Sequence, residues 1–187
     1  MVLASDHTTL ERLPCRVMLA SSAEESCVPG CVLDEVGKQA DAEGWISERY
    51  PTYPQKLIIE FPCRVRIQQV QILVHQAYPP SRVDFYTADD ATGEFQEDWL
   101  SLPFERHGMC KMTDPAVKKF QARELKTVFM DGVGTHLKLR LHDCFRHNVN
   151  EHNQVGVVGI RLYGTTQAGR PISFPATVAP TMVLSEG

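Results

Sequence analysis

The densest run of chemistry-bearing side chains is His142-Asp143-Cys144-Phe145-Arg146-His147-Asn148-Val149-Asn150-Glu151-His152-Asn153. Its three histidines, His142, His147 and His152, stand five residues apart with oxygen donors between them. Imidazole and thiolate suit zinc, and clustered oxygens suit calcium, so a metal is the first chemistry to weigh. A five-residue step on a loop does not stack ligands on one face as a helical i, i+4 pair would, and no compact acidic calcium loop is present. The sequence therefore assigns no metal and no cofactor. The competing reading is an ordered loop in which Asn148, Asn150 and Asn153 hydrogen-bond the backbone of irregular turns. His147, Asn148, Asn150 and Asn153 are its candidate binding residues.

Trp45, Arg49, Tyr50 and Tyr53 form an aromatic and basic group between two loop signals, a composition enriched at protein interfaces. Trp45 fits core anchoring as well as it fits contact with a partner, and Tyr78, beside Pro79-Pro80, divides the same way. Arg123 and Lys126, following Lys118-Lys119, make either a solvated face or a salt-sensitive docking patch. Cys27-Val28-Pro29-Gly30-Cys31 pairs two cysteines, but no second Cys or Cys/His pair stands at zinc-ribbon spacing. Gly132-Val133-Gly134 leads into a strand rather than a helix, which predicts a strand-to-strand turn and no phosphate cradle. Neither a nucleophile elbow, nor a helical His-Glu-x-x-His motif, nor a carboxylate pair spaced for acid-base work occurs, so no enzyme is expected.

The segments that must position these residues are short and extended. Cys15 to Ala20 predicts a strand, followed by loop composition from Ser21 to Ser26. Weak periodicity then runs to Tyr53, with a helical turn expected near Leu33 to Ala40. Leu57, Ile59 and Phe61 alternate with Lys56, Ile58 and Glu60 until Pro62, which should stop the strand. Val65 and Ile67 share one phase and Val70, Ile72 and Val74 the other, so the faces must flip around Gln68-Gln69 through a bulge or a change of sheet. Further strands are expected at Val83 to Tyr86, ending in the loop Asp89 to Gly93, and at Trp99 to Leu102. Another is expected from Arg123 to Met130, with Leu125, Val128 and Met130 as core candidates. His136 to His142 sets three leucines against four polar residues, and the last strand covers Gln154 to Tyr163. About eight antiparallel strands without sustained helical periodicity predict an all-β sandwich. It spans residues 15–164, between an extension over 1–14 and an extended tail over 165–187. Pro171, Pro175 and Pro180 in that tail oppose both ladder bonds and helix.

Composition narrows the partners. Of the 187 residues, 43% are hydrophobic and 22% charged, an ordinary globular balance. The net charge of -4 supplies no overall positive field for nucleic acid, and no apolar run reaches a membrane span. The opening Met1-Val2-Leu3-Ala4-Ser5-Asp6-His7 lacks the basic and apolar regions of a secretory signal, which predicts residence on the cytosolic side. The six cysteines are then expected as thiols, with Cys15, Cys63 and Cys144 as small core residues.

Several runs carry a family resemblance. They are Gly44-Trp45-Ile46-Ser47, Pro54-Gln55-Lys56-Leu57-Ile58, and Cys63-Arg64-Val65-Arg66-Ile67 through Leu73-Val74-His75-Gln76. Ala122-Arg123-Glu124-Leu125-Lys126-Thr127-Val128 and His147-Asn148-Val149-Asn150 with Asn153-Gln154-Val155 complete the set. In order and with similar gaps from about Val17 to Gly164, they resemble the N-terminal domain of the ciliary-tip centrosomal protein of 104 kDa family. The resemblance implies a discoidin-like or galactose-binding-like jelly roll that acts as a structural adaptor in the cilium or flagellum. Ciliary and axonemal proteins, tubulin or microtubule-associated proteins would be its partners, at axoneme, basal body or tip. A more distant likeness is to the jelly-roll subunit of the intraflagellar transport complex, whose family binds a small GTPase partner and calcium; a ligand-binding module at the sandwich loops is thus the alternative. The chain departs from the tip family in ending at Gly187 without coiled coil, helical-repeat or zinc-finger arrays, so tubulin binding through those parts does not carry over.

Overall fold

The computed structural model describes residues 10–33, 44–90, 100–167 and 182–184. Pro62 ends no strand: β4 runs unbroken over Gln55–Val74. Before it come β1 (Glu11–Arg12), β2 (Arg16–Ala20) and β3 (Trp45–Ile46). After it come β5 (Arg82–Ala88), β6 (Glu105–Lys111), β7 (Glu124–Leu141), β8 (Gly156–Thr166) and β9 (Met182–Val183). Short 3-10 turns occur at Pro29–Leu33, Pro115–Lys118 and Asn148–Asn150. No helix among the described residues is long and apolar enough to cross a membrane.

Strands β4 and β7 each serve two layers. The first half of β4 lies between β2 and the second half of β7, which continues to β5 and then β6. The second half of β4 lies between the first half of β7 and β8, whose far edge is covered by β1 and β3. The result is a jelly-roll sandwich, antiparallel except where β9 joins the β2 edge. β4 changes layer between Glu60 and Val65, where its register with β7 shifts. Pro62 sits in that gap, where the ladder is already interrupted, so its missing N–H costs no sheet hydrogen bond. β7 turns the same corner through Gly132-Val133-Gly134, which is mid-strand and not the expected strand-to-strand turn. A side chain at Gly134 would collide with the Ala88 carbonyl of the neighbouring strand β5.

The face flip expected at Gln68-Gln69 is present as a bulge between Ile67 and Gln69 in both ladders of β4. It lets Val65, Ile67, Val70, Ile72 and Val74 all reach the interior with no exposed surface. They meet Leu57, Ile59, Leu137, Leu139, Leu141, Val83 and Phe85 of the opposite layer in one core. A second, smaller cluster lies on the outer face of the larger sheet, where Met18, Leu19, Ile58 and Ala88 pack with Leu102, Phe104 and Leu184.

Other expectations shift. Leu125 is not core: its side chain is exposed on the same face as Phe129, while Val128 and Met130 point inward. Leu100 to Leu102 forms a turn and bend rather than a strand, and Trp99 lies outside the described residues, as do 34–40 of the expected helical turn and 91–93 of the loop. β6 had no apolar alternation to betray it, because it is an edge strand with both faces largely exposed. In the tail, Thr165 and Thr166 extend β8, and Met182 and Val183 bond in parallel to Leu19 and Ala20. All six cysteines are unbridged, with Cys144 buried and Cys15 and Cys63 packed against the core.

Candidate functional site

Four connections meet at the sandwich end where β4 both begins and finishes: residues 47–54, 75–81, 112–123 and 142–155. Their contacts follow from strand ends that stop side by side, since Gln55 pairs with Leu141 and Val74 with Glu124 and Val157. Tyr53 donates its hydroxyl to the Asn153 carbonyl, Gly156 N–H donates to the Tyr78 carbonyl at 2.7 Å, and Ser81 N–H to the Asp143 carbonyl at 2.7 Å. Sequence-distant candidates are therefore neighbours in space.

Trp45 does not reach the surface. It has no exposed surface, and its indole N–H donates to the Ser22 carbonyl at 2.8 Å. Of its two readings, core anchoring is the one the fold permits, because a side chain without surface has nothing to offer a partner. Gly44, just before it, has φ +73° and no room for a side chain against the Val157 carbonyl, which explains a glycine at that entry.

Arg49 and Tyr50 are exposed. Arg49 Nε lies 3.4 Å from Glu24 Oε1, and Tyr50 meets His152 edge-to-face at 5.3 Å, with its hydroxyl 3.2 Å from His152 Nδ1. Asn150 is buried and staples the loop, donating to the Gln154 carbonyl at 2.8 Å and accepting from Gln154 N–H at 2.9 Å. Gln154 in turn donates to Glu24 Oε2 and the Ser47 carbonyl, both at 2.7 Å. Asn153 takes a positive φ of 51°, a conformation asparagine tolerates well. Asn148 begins the 3-10 turn and faces solvent.

The remaining candidates are tied down nearby. Tyr78 stacks on His75 at 4.6 Å, and burial, then the charge of Arg123, pushes the His75 pKa down to about 4. Arg123 Nε donates to Gln76 Oε1 at 3.1 Å. Lys126 Nζ lies 2.9 Å from Glu124 Oε1, whose carboxylate also accepts the Thr113 N–H and hydroxyl. His147 Nε2 lies 2.8 Å from Asp114 Oδ1, against the edge of Phe120. The histidines at five-residue spacing thus go to separate partners: His142 to Asp84, His147 to Asp114 and His152 to Tyr50. No group of three metal-ligating side chains occurs among the described residues.

The charge cluster around Asp84 leaves no local mark in the sequence. Asp84 is 3% exposed, yet His142 Nε2 lies 2.8 Å from Oδ2, Arg82 Nε 3.2 Å and Arg106 Nη2 3.3 Å from Oδ1. Burial opposes its ionisation, but the hydrogen bonds from His142 and Arg106 and the charge of Arg82 outweigh burial and hold its pKa below the usual carboxylate range. Only a cross-strand register joins residues 82, 84, 106 and 142. The available signal was the polar face of His136 to His142, which supplies His142 and the adjacent Arg140.

The fold resembles CBM32-3 of a family 31 glycoside hydrolase from Clostridium perfringens, with a TM-score of 0.60 at 11% identity over 81% of this chain and 91% of that one. It also resembles the reduced XRCC1 structure bound to the DNA polymerase β catalytic domain, with a TM-score of 0.58 at 12% identity over 82% and 99%. These likenesses establish the discoidin-like jelly roll and nothing of ligand or partner. In sequence, the human centrosomal protein of 104 kDa is 34% identical over 121 residues, and the mouse protein 33%. The aligned stretch is 65% of this chain but 13% of each relative's length. The family profile described as the N-terminal domain of centrosomal protein CEP104 matches residues 44–164, which take in β3 to β7, most of β8 and all four connections of the loop end. This chain belongs to that family.

Proposed function

We propose that the chain is a non-catalytic docking module of centrosomal and ciliary assemblies, binding other proteins through the loop end and the outer sheet faces of its jelly roll. Family membership supports the setting. The observation that carries the non-catalytic reading is the state of the loop-end histidines. His142, His147 and His152 are bonded to a carboxylate, a carboxylate and a phenol, and none is paired with a serine or cysteine among the described residues that it would activate. Arg49 and Tyr50 remain exposed, the residue types that dominate protein-protein contacts. Axonemal, tip or microtubule-associated proteins are the partners of this reading.

A tagged full chain expressed in ciliated cells tests it. Enrichment at centrosomes, basal bodies or cilia, with co-fractionation of axonemal proteins, is expected. Diffuse cytosolic signal and recovery of no centrosomal or ciliary protein would overturn it.

A further inference from the structure

The outer face of the larger sheet stacks cations in register. Lys56 of β4 stands opposite Arg140 of β7, and Arg140 opposite Asp84 of β5. Two residues further on, Lys138 stands opposite Tyr86, and Tyr86 opposite Arg106 of β6. Two residues the other way, Arg82 pairs with Lys111, and His142 closes the row beside Arg82 at 2.9 Å. Three successive rows thus hold six permanent cations. Asp84 is the single carboxylate on the described strands in these rows, and it lies buried beneath Arg82, Arg106 and His142.

One carboxylate, shared by Arg82 and Arg106, does not consume this charge inside the fold. Arg140 Nε is buried without a hydrogen-bond partner among the described residues. Lys138 has its pKa lowered by burial and then by the like charges of Lys56 and Arg140, so these cations repel one another at short range. A bound anion would relieve that repulsion. Arg82 and Arg106 keep 39% and 50% of their side chains exposed. Apolar surface adjoins the charge: Lys138 Nζ lies 3.8 Å from the Phe104 ring centroid and 5.0 Å from that of Tyr86. Beyond Arg82 and Lys111 opens a cleft of about 450 Å³, lined also by Met112, Phe145 and Asp143.

We propose that this face docks an extended acidic peptide segment of a partner protein, lying along the strands with carboxylates at alternate positions. The rows repeat every two residues, about 6.8 Å at roughly 3.4 Å per residue, which is also the same-side repeat of an extended peptide. One carboxylate can therefore meet each row, and the arginines offer it paired N–H donors. A long polyanion or an anionic membrane fits worse, because it would run past the patch onto a protein whose net charge is -4. The surface gives chemical identity to the partner of the docking-module reading and rests on that reading for its setting. The two fail separately, since localisation can hold while peptide binding is absent.

Fluorescence anisotropy on the full chain tests it with a labelled peptide of alternating glutamate and alanine, against its glutamine counterpart. The glutamate peptide should bind and the glutamine peptide should not, and binding should weaken as salt rises. Arg106→Glu with Lys111→Glu, both on the exposed edge strand, should weaken binding roughly tenfold, each exposed charge pair contributing up to about fivefold. Circular dichroism should stay unchanged in that variant, while its thermal midpoint falls, because Arg106→Glu removes one partner of the buried Asp84. Equal binding of the two peptides, or full affinity in the folded double variant, would sink the proposal. So would tighter binding of single-stranded DNA of equal charge or of phosphatidylserine vesicles, which would make the face a nucleic-acid or lipid surface.

Discussion

The loop end and the outer face of the larger sheet are both polar, but they use polarity differently. At the loop end, acceptors and donors alternate along the chain, and folding pairs them: Asn150 with Gln154, His147 with Asp114, Arg123 with Gln76. On the outer face, Lys56, Lys138 and Arg140 come from strands that align like with like, and one buried aspartate serves two arginines and a histidine. A dense motif in sequence can be spent on holding its own loop, while unremarkable single cations assemble into an unneutralised surface.

Variants can break or sharpen that contrast. Trp45→Ala, which removes the anchor beneath the loop end, should cost about 3–5 kcal/mol in denaturant unfolding. A loss under about 1 kcal/mol would show that the indole is not a core element. Asp84→Asn should cost on the order of 2–3 kcal/mol, because it leaves Arg82, Arg106 and His142 around a neutral amide, although exposure of the arginines softens the penalty. The same change should raise affinity for the acidic peptide, tying stability and docking to one carboxylate.

Titration separates the regions further. His75, near 4 in the fold and about 6.5 when unfolded, binds a proton more readily in the unfolded chain between those values. Its contribution is complete above about pH 6.5 and is lost as pH falls toward 4, on the order of 3 kcal/mol, and His75→Asn should flatten that slope. Asp84, with its folded pKa depressed, stabilises above the ordinary carboxylate range and loses that contribution as pH falls through its folded value. Equilibrium unfolding across pH 3 to 8 for the parent and both variants reads the two slopes apart. Asn150→Ala should cost about 1–2 kcal/mol and speed amide exchange in the 147–154 loop, since it strands a Gln154 N–H and carbonyl. Tyr50→Ala should change stability by no more than about 0.5 kcal/mol, so any loss of partner recovery in that variant reports contact rather than folding.

Side-chain alternation is a local property, and it was legible from the chain alone. It located the strands around Leu57, Val83, Leu137 and Val155, and it required the bulge beside Gln68 because the two apolar phases there cannot share a face otherwise. The runs shared with the centrosomal family were equally plain, since they are strings of adjacent residues. Register between strands is not local. Only the tertiary fold could carry β4 past Pro62 into a second layer, turn Leu125 outward, bury Trp45 and recruit Glu105 to Lys111 as an edge. The same register set residues 56, 82, 106, 111, 138 and 140 in facing rows, because cross-strand neighbours are chosen by the packing of whole sheets and leave no mark in the spacing of any one segment.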